Sequence, residues 1–571
     1  KITDEMLKTA VDTFGWKSFE YQGWVMQGLA KNKGMVSWLI TRDPSFAMWA
    51  NPTRDSFGGA INSTSWARIP GLDTTMGIVK MMSYYFGKNP ENHRIVLDYL
   101  NNGGGFGTIF TKNPEQYAFQ MKKYFNKNLK IPLDDVITNP KQFGKIYGNF
   151  MGAFEHATRV REYDRMIKAG YSPREAAVMA REISIDFSMK GSGNVITFLN
   201  QSVAFLNPGV QGMYKSMRTW FGEGRFAKTF IQANMYVGAP SATLWYLNHD
   251  NPDYQAYPDW AKRQAWFIPL GKRYDETLGR EVTRFGLVPK PFDLYGMYAN
   301  TTEAVLQAAW EATQKGVGGD HATTIMGEFV KSFYHNITHA LPPVPLPPSF
   351  SLGFALFGNV DSFTGANIIP KRILNAPSEF QYTPWTPETM IALGNETGMS
   401  PIHLEQIYRK MLPGLGEKFL HILDYFTNEV TEGQWDNNRP VTLEDIPVLD
   451  RMYEDGIPTI TQHEIDAYEE VATGLEDYVS ESMIAELLLA DDTRINAWLK
   501  NDDNRDKIMQ RPVFLDYLME TGKRNRLIRN TTTDKSLSKD FRHKEVMRLQ
   551  DQKRKLAEEF LDSLEFMRKY K

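Results

Sequence analysis

The sequence predicts a mainly α-helical protein, an irregular multi-helix assembly with long connectors rich in proline and glycine and with little β structure. Helix-start signals recur along the chain, apolar residues follow them at steps of three and four, and period-two alternation is rare. With 571 residues the chain is long enough for several folding units and a sizeable core. Small disulfide scaffolds and wholesale disorder are therefore excluded.

Two helix starts illustrate the pattern. Ser172 supplies an N-cap, Pro173 occupies the first helical position, and Glu175 is placed to return to the cap. The apolar stripe that follows consists of Ala176, Ala180, Ile183 and Phe187. Ser400-Pro401 begins a second helix, whose stripe consists of Leu404, Ile407, Tyr408 and Met411. We expect further helix starts at Thr386-Pro387, Thr442 and Thr461.

Three stretches are typical of connectors. Residues 101–107 contain too many glycines for a regular element, and we expect them to join two helices. Residues 341–348 contain five prolines and must be extended, which makes them our first domain boundary. Residues 254–291 suit a long loop or a short hairpin that lies over the helices.

These boundaries give four expected regions. They are an N-terminal helical segment at 1–110, a central helical domain at 111–340, an extended strap with a small helical domain at 341–450, and a C-terminal helical region with a basic tail at 451–571. Lys1 is not a methionine and no signal-peptide pattern follows it, so we expect a processed product or the ordered part of a longer chain.

The charge is unevenly distributed. The whole chain has a net charge of -3, whereas residues 521–571 contain 15 basic and 8 acidic side chains. The candidate contacts to DNA phosphates or lipid headgroups are Lys523, Arg524, Arg526, Arg529, Lys553, Arg554 and Lys555. The alternative is a solvated amphipathic helix that packs on a neighbour through a narrow apolar stripe, Leu556, Phe560, Leu564 and Met567.

The most apolar stretch is 226–247, and it is interrupted by Lys228, Gln232, Asn234 and Pro240. No run reaches the 18 or so residues of a transmembrane helix. We expect a buried helical pair with a bend at the proline, and the alternative is membrane insertion after a conformational change. Phe226, Phe230 and Trp245 are the candidate membrane or partner contacts.

The sequence contains few signs of a catalytic, cofactor-binding or metal-binding site. The chain has no cysteine, which excludes thiolate nucleophiles, disulfides and thiolate metal sites, and no nucleotide-binding, nucleophile-elbow or zinc-protease motif is present. His335 and His339 have the spacing of two metal ligands but lack a clear third. Glu155-His156 and Glu558-Glu559 are interpreted as surface charge. We therefore predict no catalytic residue, no cofactor and no metal site.

Several segments together resemble one family of phage domains. They are Arg42-Asp43-Pro44; Ala169-Gly170-Tyr171-Ser172-Pro173; Asp186-Phe187-Ser188-Met189-Lys190-Gly191; Gln211-Gly212; Trp266-Phe267-Ile268-Pro269; Val288-Pro289-Lys290-Pro291-Phe292 with Glu303; residues 359–370; Gln381-Tyr382; Ser400-Pro401; and Gly414-Leu415-Gly416. In order and spacing they resemble the large polyvalent-protein-associated domains, helical domains near the C-termini of very long tailed-phage proteins. The resemblance covers about residues 40–450.

The resemblance implies a structural role in genome delivery. Such domains are familiar from the internal virion, or ejection, proteins of short-tailed phages, which are packed near the portal and are thought to form a conduit across the host envelope. The implied partners are further copies of the chain, other internal virion proteins, the portal, double-stranded DNA without sequence preference, and the host inner membrane. The implied locations are the capsid interior and then the host periplasm and inner membrane. The alternative is the non-catalytic part of a long virion enzyme, either peptidoglycan-degrading or a virion polymerase.

Overall fold

The computed structural model describes most of the chain. The described ranges are 24–105, 140–184, 206–314, 355–411, 449–477 and 502–569, apart from short gaps at 42, 64, 67, 86–88, 223, 277–278, 292, 360–366, 370–373, 375, 383–385, 450–451, 455, 457, 459–460 and 535.

The fold is mainly α-helical, as predicted, with one small sheet. In the N-terminal half the helices are α1 (Trp24–Thr41), α2 (Asn51–Asn62), α3 (Leu72–Tyr85), α4 (Pro90–Asn101), α5 (Pro140–Lys168), α6 (Pro173–Glu182), α7 (Leu206–Met217), α8 (Phe226–Ala233) and α9 (Ala239–Asn248). The later elements are α10 (Pro252–Gln255), α11 (Asp259–Gln264), β1 (Ala265–Asp275), β2 (Arg280–Pro289), α12 (Asp293–Gln314), α13 (Glu388–Thr397), α14 (Pro401–Met411), β3 (Tyr453–Glu454), α15 (Gln462–Asp477), α16 (Asp502–Thr533) and α17 (Lys539–Lys569).

Local sequence signals account for several helix starts. At α6 the Ser172 hydroxyl accepts from the Glu175 N–H, and the Glu175 carboxylate accepts from the Ser172 N–H. Thr461 and Glu464 form the same reciprocal pair at α15. At the N-terminus of each of these helices, two backbone N–H groups that have no partner within the helix are therefore hydrogen-bonded to side chains. The predicted starts of both helices are confirmed. The expected start at Thr442 lies outside the described residues.

The N-terminal core lies where α3, α4 and α6 pack around α5. Its buried members include Met81, Val96, Tyr99, Val160 and Ala180. Residues on both sides of the boundary expected near residue 110 therefore share one core. A Cβ at Gly77 of α3 would lie 1.9 Å from the Ala157 carbonyl oxygen of α5, so glycine permits this close approach.

The connector expected at 101–107 is described only as far as residue 105. It follows α4 as a turn in which Gly103 has a φ of 84°. That left-handed conformation favours glycine. Gly104 also lies so close to Tyr99 that a Cβ would come within 2.1 Å of its ring. The proline strap at 341–348 lies outside the described residues.

The central core joins α2, α8, α9, α12 and the sheet. Ile61, Val237, Trp266 and Tyr295 are buried there, and the Trp266 indole N–H donates to the Ser241 hydroxyl at 2.8 Å. Because α8 and α9 are linked by a wider π-helical turn at Asn234–Gly238, helix continues from Phe226 to Asn248. Pro240 lies near the start of α9, directly after this turn, and it has no N–H to donate within the continuous helix.

The sheet has the order β1-β2-β3. The β1–β2 hairpin is antiparallel from Ala265 opposite Pro289 to Asp275 opposite Arg280, with a register shift between Pro269 and Lys272. The short-hairpin alternative for residues 254–291 is therefore confirmed. The two-residue strand β3 pairs with β2 at Phe285 and Gly286.

The C-terminal unit is a pair of long helices, α16 and α17, with α15 against them. Its core contains Ala467, Val471, Phe514, Phe560 and Leu564. Phe560 packs against Tyr517 with ring centroids 4.4 Å apart. Two residues of the stripe predicted on α17 are thus buried between helices, as the amphipathic-helix alternative requires.

Candidate functional surfaces

The basic candidates of the C-terminal helices are mostly paired with carboxylates. Lys523 and Arg524 of α16 each contact Glu520 at 2.5 Å, one turn earlier on the same helix. Lys555 of α17 contacts Asp551 at 2.9 Å. The spacing of three or four residues places each pair on one helix face. Lys523 and Arg524 share one carboxylate, and Asp551 is already among the 8 acidic side chains of residues 521–571, so this tail keeps its basic surplus.

The remaining basic candidates differ in their surroundings. Lys553 lies 3.7 Å from Glu464 of α15, and Arg526 is exposed. Arg554 is buried, and its guanidinium donates to the Pro458 carbonyl and lies 3.9 Å from Glu464. Arg554 therefore belongs to the packing of α17 against the chain before α15, which corrects its assignment as a surface contact. The side chain of Arg529 lies outside the described ones.

The apolar candidates form an exposed aromatic patch and a separate ring stack. Phe226 and Phe230 are exposed and stack on each other with centroids 6.1 Å apart, beside Trp220. Trp245 lies elsewhere, stacked on His249 at 4.7 Å, and its indole N–H donates to Gln307. The helices containing these residues were expected to be a buried pair, but only one side of them is buried.

Exposure of Phe226 and Phe230 follows from helix geometry. The buried side of α8 presents Thr229, Gln232 and Ala233, which places the two phenylalanines on another side of the helix. Among the described residues, no helix has both the length and the apolar character needed to cross a membrane.

The densest cluster of ionisable groups lies in the N-terminal core. The Arg68 guanidinium contacts the Glu162 carboxylate at 2.8 Å, and both side chains are only 1% exposed. Glu162 also accepts from the Ser63 hydroxyl at 2.7 Å and from Arg165 at 3.1 Å. A buried carboxylate with three donors has its lone pairs satisfied, which offsets much of the cost of removing it from water.

The cluster extends from Glu162 along α5. Asp73 of α3 contacts Arg165 at 2.6 Å and Arg161 at 2.9 Å, and Arg161 also reaches Asp164 at 3.1 Å. Burial alone would raise the pKa of Asp73, but the Arg165 guanidinium and the Ile69 N–H donate to its carboxylate and lower it overall. These charges cross from one helix to the next, so they fix the packing of α3 on α5.

Glu155 and His156 were interpreted as surface charge, and that interpretation is wrong. Both are buried, because α5 is covered by neighbouring helices on several sides. The His156 Nδ1 lies 3.1 Å from the Tyr99 hydroxyl, and burial together with nearby Arg159 lowers its pKa to about 3. The imidazole is therefore neutral at ordinary pH. Glu558 and Glu559 are exposed, as expected.

A second buried ion pair joins the hairpin to α12. The Lys290 ammonium donates to the Lys262 carbonyl at 2.8 Å, to Asn300 at 3.0 Å and to Glu303 at 2.6 Å. Burial lowers the pKa of Lys290 and raises that of Glu303, while each residue's contact with the other opposes the shift. All three ammonium hydrogens have acceptors, so the pair ties the end of β2 to two helices.

The structure gives no evidence for a metal centre in the residues that it describes. No group of three or more potential ligands, taken from His, Asp and Glu, is found there. His335 and His339, the pair with ligand spacing, lie outside the described residues.

Comparison with protein families identifies one domain. Residues 251–449 match the model of the family described as large polyvalent protein associated domain 38. The match takes in the hairpin, α12, the Lys290–Glu303 pair, α13 and α14. It covers the later part of the range over which the sequence resembles such domains. Searches of curated proteins and of solved structures found no match for this chain.

Proposed function

We propose that this chain is a structural internal virion protein of a short-tailed bacteriophage, part of an oligomeric ring or conduit through which the genome is delivered across the host envelope. The observation that carries the proposal is the polyvalent-protein-associated domain at 251–449, set in a mainly helical chain. The domains that this chain resembles are familiar from long tailed-phage proteins, among them internal virion proteins.

Two features of the described residues support a structural role. Buried carboxylates of the N-terminal core, including Glu162, Asp73 and Asp164, are held by arginine and lysine side chains. Groups held in this way stabilise helix packing and are poorly placed for proton transfer. Exposed aromatic residues on the central helices provide surface for further protein contacts or for a bilayer. We therefore propose no catalytic step and no cofactor for this segment.

The basic C-terminal helices suit a weak contact with DNA that does not depend on sequence. The whole chain has a net charge of -3, so its total charge is modest, although residues 521–571 contain 15 basic and 8 acidic side chains. Because a strongly basic lumen would hold DNA phosphates and impede passage, modest charge is the more useful property for a conduit.

The decisive experiment is cryo-electron microscopy of intact particles from the source, with localised reconstruction of the space above the portal. We expect this chain there as a symmetric helical ring inside the capsid, which would also give the subunit number. Absence of the chain from particles, or its presence only in the cytoplasm of infected cells, would overturn the proposal.

The alternative is that this chain is the non-catalytic part of a long virion enzyme. Intact-mass measurement of the polypeptide extracted from particles distinguishes the two. A mass much greater than 65.5 kDa, together with peptidoglycan cleavage or nucleotide polymerisation by the extracted polypeptide, would favour the enzyme.

A further inference from the structure

Three polar side chains meet at one buried point between the hairpin and α12. The Lys290 Nζ lies 3.0 Å from the Asn300 Oδ1 and 2.6 Å from the Glu303 carboxylate. Asn300 and Glu303 are three residues apart on α12, so they are neighbours on one face of that helix. The three side chains are an amine, a primary amide and an acid that can carry a proton, and together they can form a new amide bond.

The backbone around Lys290 is fixed in several places. Its N–H donates to the Gln264 carbonyl at 2.9 Å, and its own carbonyl accepts from the Arg54 Nε at 3.1 Å. A Cβ at Gly296 would lie 2.4 Å from the Pro291 carbonyl oxygen, so the chain after Lys290 packs closely on the first turn of α12. Reacting groups that are held in place have less entropy to lose on reaching the transition state.

The surroundings favour the neutral amine and the neutral acid. Lys290 is only 2% exposed, and burial lowers its pKa while raising that of Glu303, although the contact between them opposes both shifts. When the proton lies on the carboxyl group, the Nζ has a free lone pair and is a nucleophile. Ser241 and Trp266 also form hydrogen bonds to the Glu303 carboxyl group, and these contacts orient it.

The Asn300 amide is a suitable target for this nucleophile. Its Cγ is bonded to the Oδ1, so it lies no more than about 1.2 Å farther from the Nζ than that oxygen does. The Lys262 carbonyl also accepts from Lys290, at 2.8 Å, but it belongs to the backbone, and attack there would have to break the chain. Attack on Asn300 releases only ammonia, which diffuses away and prevents the reverse step.

We propose that the Lys290 Nζ and the Asn300 Cγ become joined by an isopeptide bond once the chain has folded. The Nζ–Cγ bond forms, and the bond from Cγ to the Asn300 amide nitrogen breaks. Glu303 accepts the proton that the attacking nitrogen loses and gives a proton to the departing nitrogen, which leaves as ammonia. Atoms and charges balance, and the step needs no oxidant, reductant or other reactant.

This step is a single modification of the chain by its own residues, so it involves no external substrate and no turnover. It goes beyond the proposed virion role and does not depend on it. The bond closes a loop of residues 290–300 and joins the end of the hairpin covalently to α12. A pulling force along the chain would then pass through the bond, and residues 291–299 would not extend.

Mass spectrometry of the purified full chain tests the bond. We expect the chain to be lighter than its sequence mass by one molecule of ammonia. A protease that cuts before aspartate cleaves at Asp293, between Lys290 and Asn300, and gives the peptides 275–292 and 293–319. These two peptides should remain joined after digestion. Two separate peptides would overturn the proposal even if ammonia is lost, because an asparagine can also lose ammonia by forming a cyclic imide with its own backbone.

Asn300→Ala provides the matched control. It removes the amide but keeps the ion pair of Lys290 and Glu303, so the variant should fold, have its full sequence mass and give two separate peptides. Joined peptides in this variant would place the bond on another residue and overturn the assignment. Glu303→Gln should reduce linkage by tenfold or more, because an amide side chain cannot carry the proton. Equal linkage in Glu303→Gln and the unsubstituted chain would overturn the role of Glu303, and circular dichroism should verify that both variants fold.

A second measurement needs no substitution. Chain made in a cell-free system and transferred at once into urea should be mostly unlinked, and the joined peptides should appear only after the urea is removed. The reason is that Lys290, Asn300 and Glu303 are brought together by the fold. Equal linkage in chain that is kept in urea would overturn the proposal.

Discussion

The N-terminal core and the C-terminal helix pair both contain ion pairs, but the pairs differ in burial and in the separation of the partners along the chain. In the core, Arg68 and Glu162 are buried and belong to different segments that the fold brings together. In the C-terminal pair, Lys523, Arg524 and Lys555 contact acids three or four residues earlier on their own helices. The first arrangement specifies how helices pack, whereas the second mainly keeps a long helix solvated.

The largest expected effect tests the buried side of this comparison. Arg68→Met should lower the free energy of unfolding by about 3–5 kcal/mol, because Glu162 loses its closest cationic partner while remaining buried. Urea titration followed by circular dichroism measures the loss. The double variant Arg68→Met/Glu162→Met should recover part of the lost stability, because it also removes the buried carboxylate that Arg68 contacts. A loss in the double variant that equals the sum of the losses of Arg68→Met and Glu162→Met would show that the two residues act independently.

The next effect is a loss of stability in acid through His156. Its pKa is about 3 in the folded chain and near 6.5 in the unfolded one, so the unfolded chain binds more protons between these values. Stability should therefore be full above pH 6.5 and fall by about 2 kcal/mol on going to pH 5. His156→Gln should lack this component. Identical losses between pH 7 and pH 5 in the two proteins would contradict the prediction.

The variant Asp55→Asn should be more stable than the unsubstituted chain. Asp55 lies in α2, and burial raises its pKa to about 6, although Arg159, Lys215 and Arg68 oppose the shift. The ionised carboxyl is therefore unfavourable in the fold, and this cost grows as the pH rises from about 4 to 6. Asp55→Asn should add about 1–2 kcal/mol at pH 7 and little at pH 4, allowing for partial exposure. Denaturant titrations at the two pH values test this, and a gain that is the same at both would contradict it.

The smallest effect tests the solvated side of the comparison. Lys555→Gln should change the free energy of unfolding by about 0.5 kcal/mol or less, because an exposed pair on one helix contributes little. The small difference should shrink further in 1 M salt, which screens exposed charges. Thermal melts at low and high salt measure it. A loss comparable with that of Arg68→Met would end the distinction between the two regions.

The sequence predicted those parts of the fold that depend on neighbours in the chain. The caps at Ser172 and Thr461 involve residues three apart, so their pattern is readable without a structure. The same holds for Lys555 and Asp551, whose spacing of four could have shown that the cation has a local partner. The family resemblance singled out Lys290 and Glu303, and the structure brings them within 2.6 Å.

The errors arose where distant segments meet. Glu155 and His156 were placed at the surface because adjacent helix positions point in different directions, but α5 is covered on more than one side. Arg554 was counted as a surface cation because its acceptor, the Pro458 carbonyl, is far away in sequence. The exposure of Phe226 and Phe230, on a helix that was expected to be buried, was missed for a related reason. An apolar stretch usually indicates a core, and only the fold shows which side of a helix the other described elements cover.

The sheet described above has a consequence for the order in which the chain folds during synthesis. The whole N-terminal ion cluster lies before residue 185, so its helices can pack while the rest is still being translated. The hairpin of β1 and β2 is also complete by Pro289, but the strand that borders β2 begins at Tyr453. At about 5–20 residues per second, roughly ten seconds or more of synthesis separate β2 from the strand that pairs with Phe285 and Gly286.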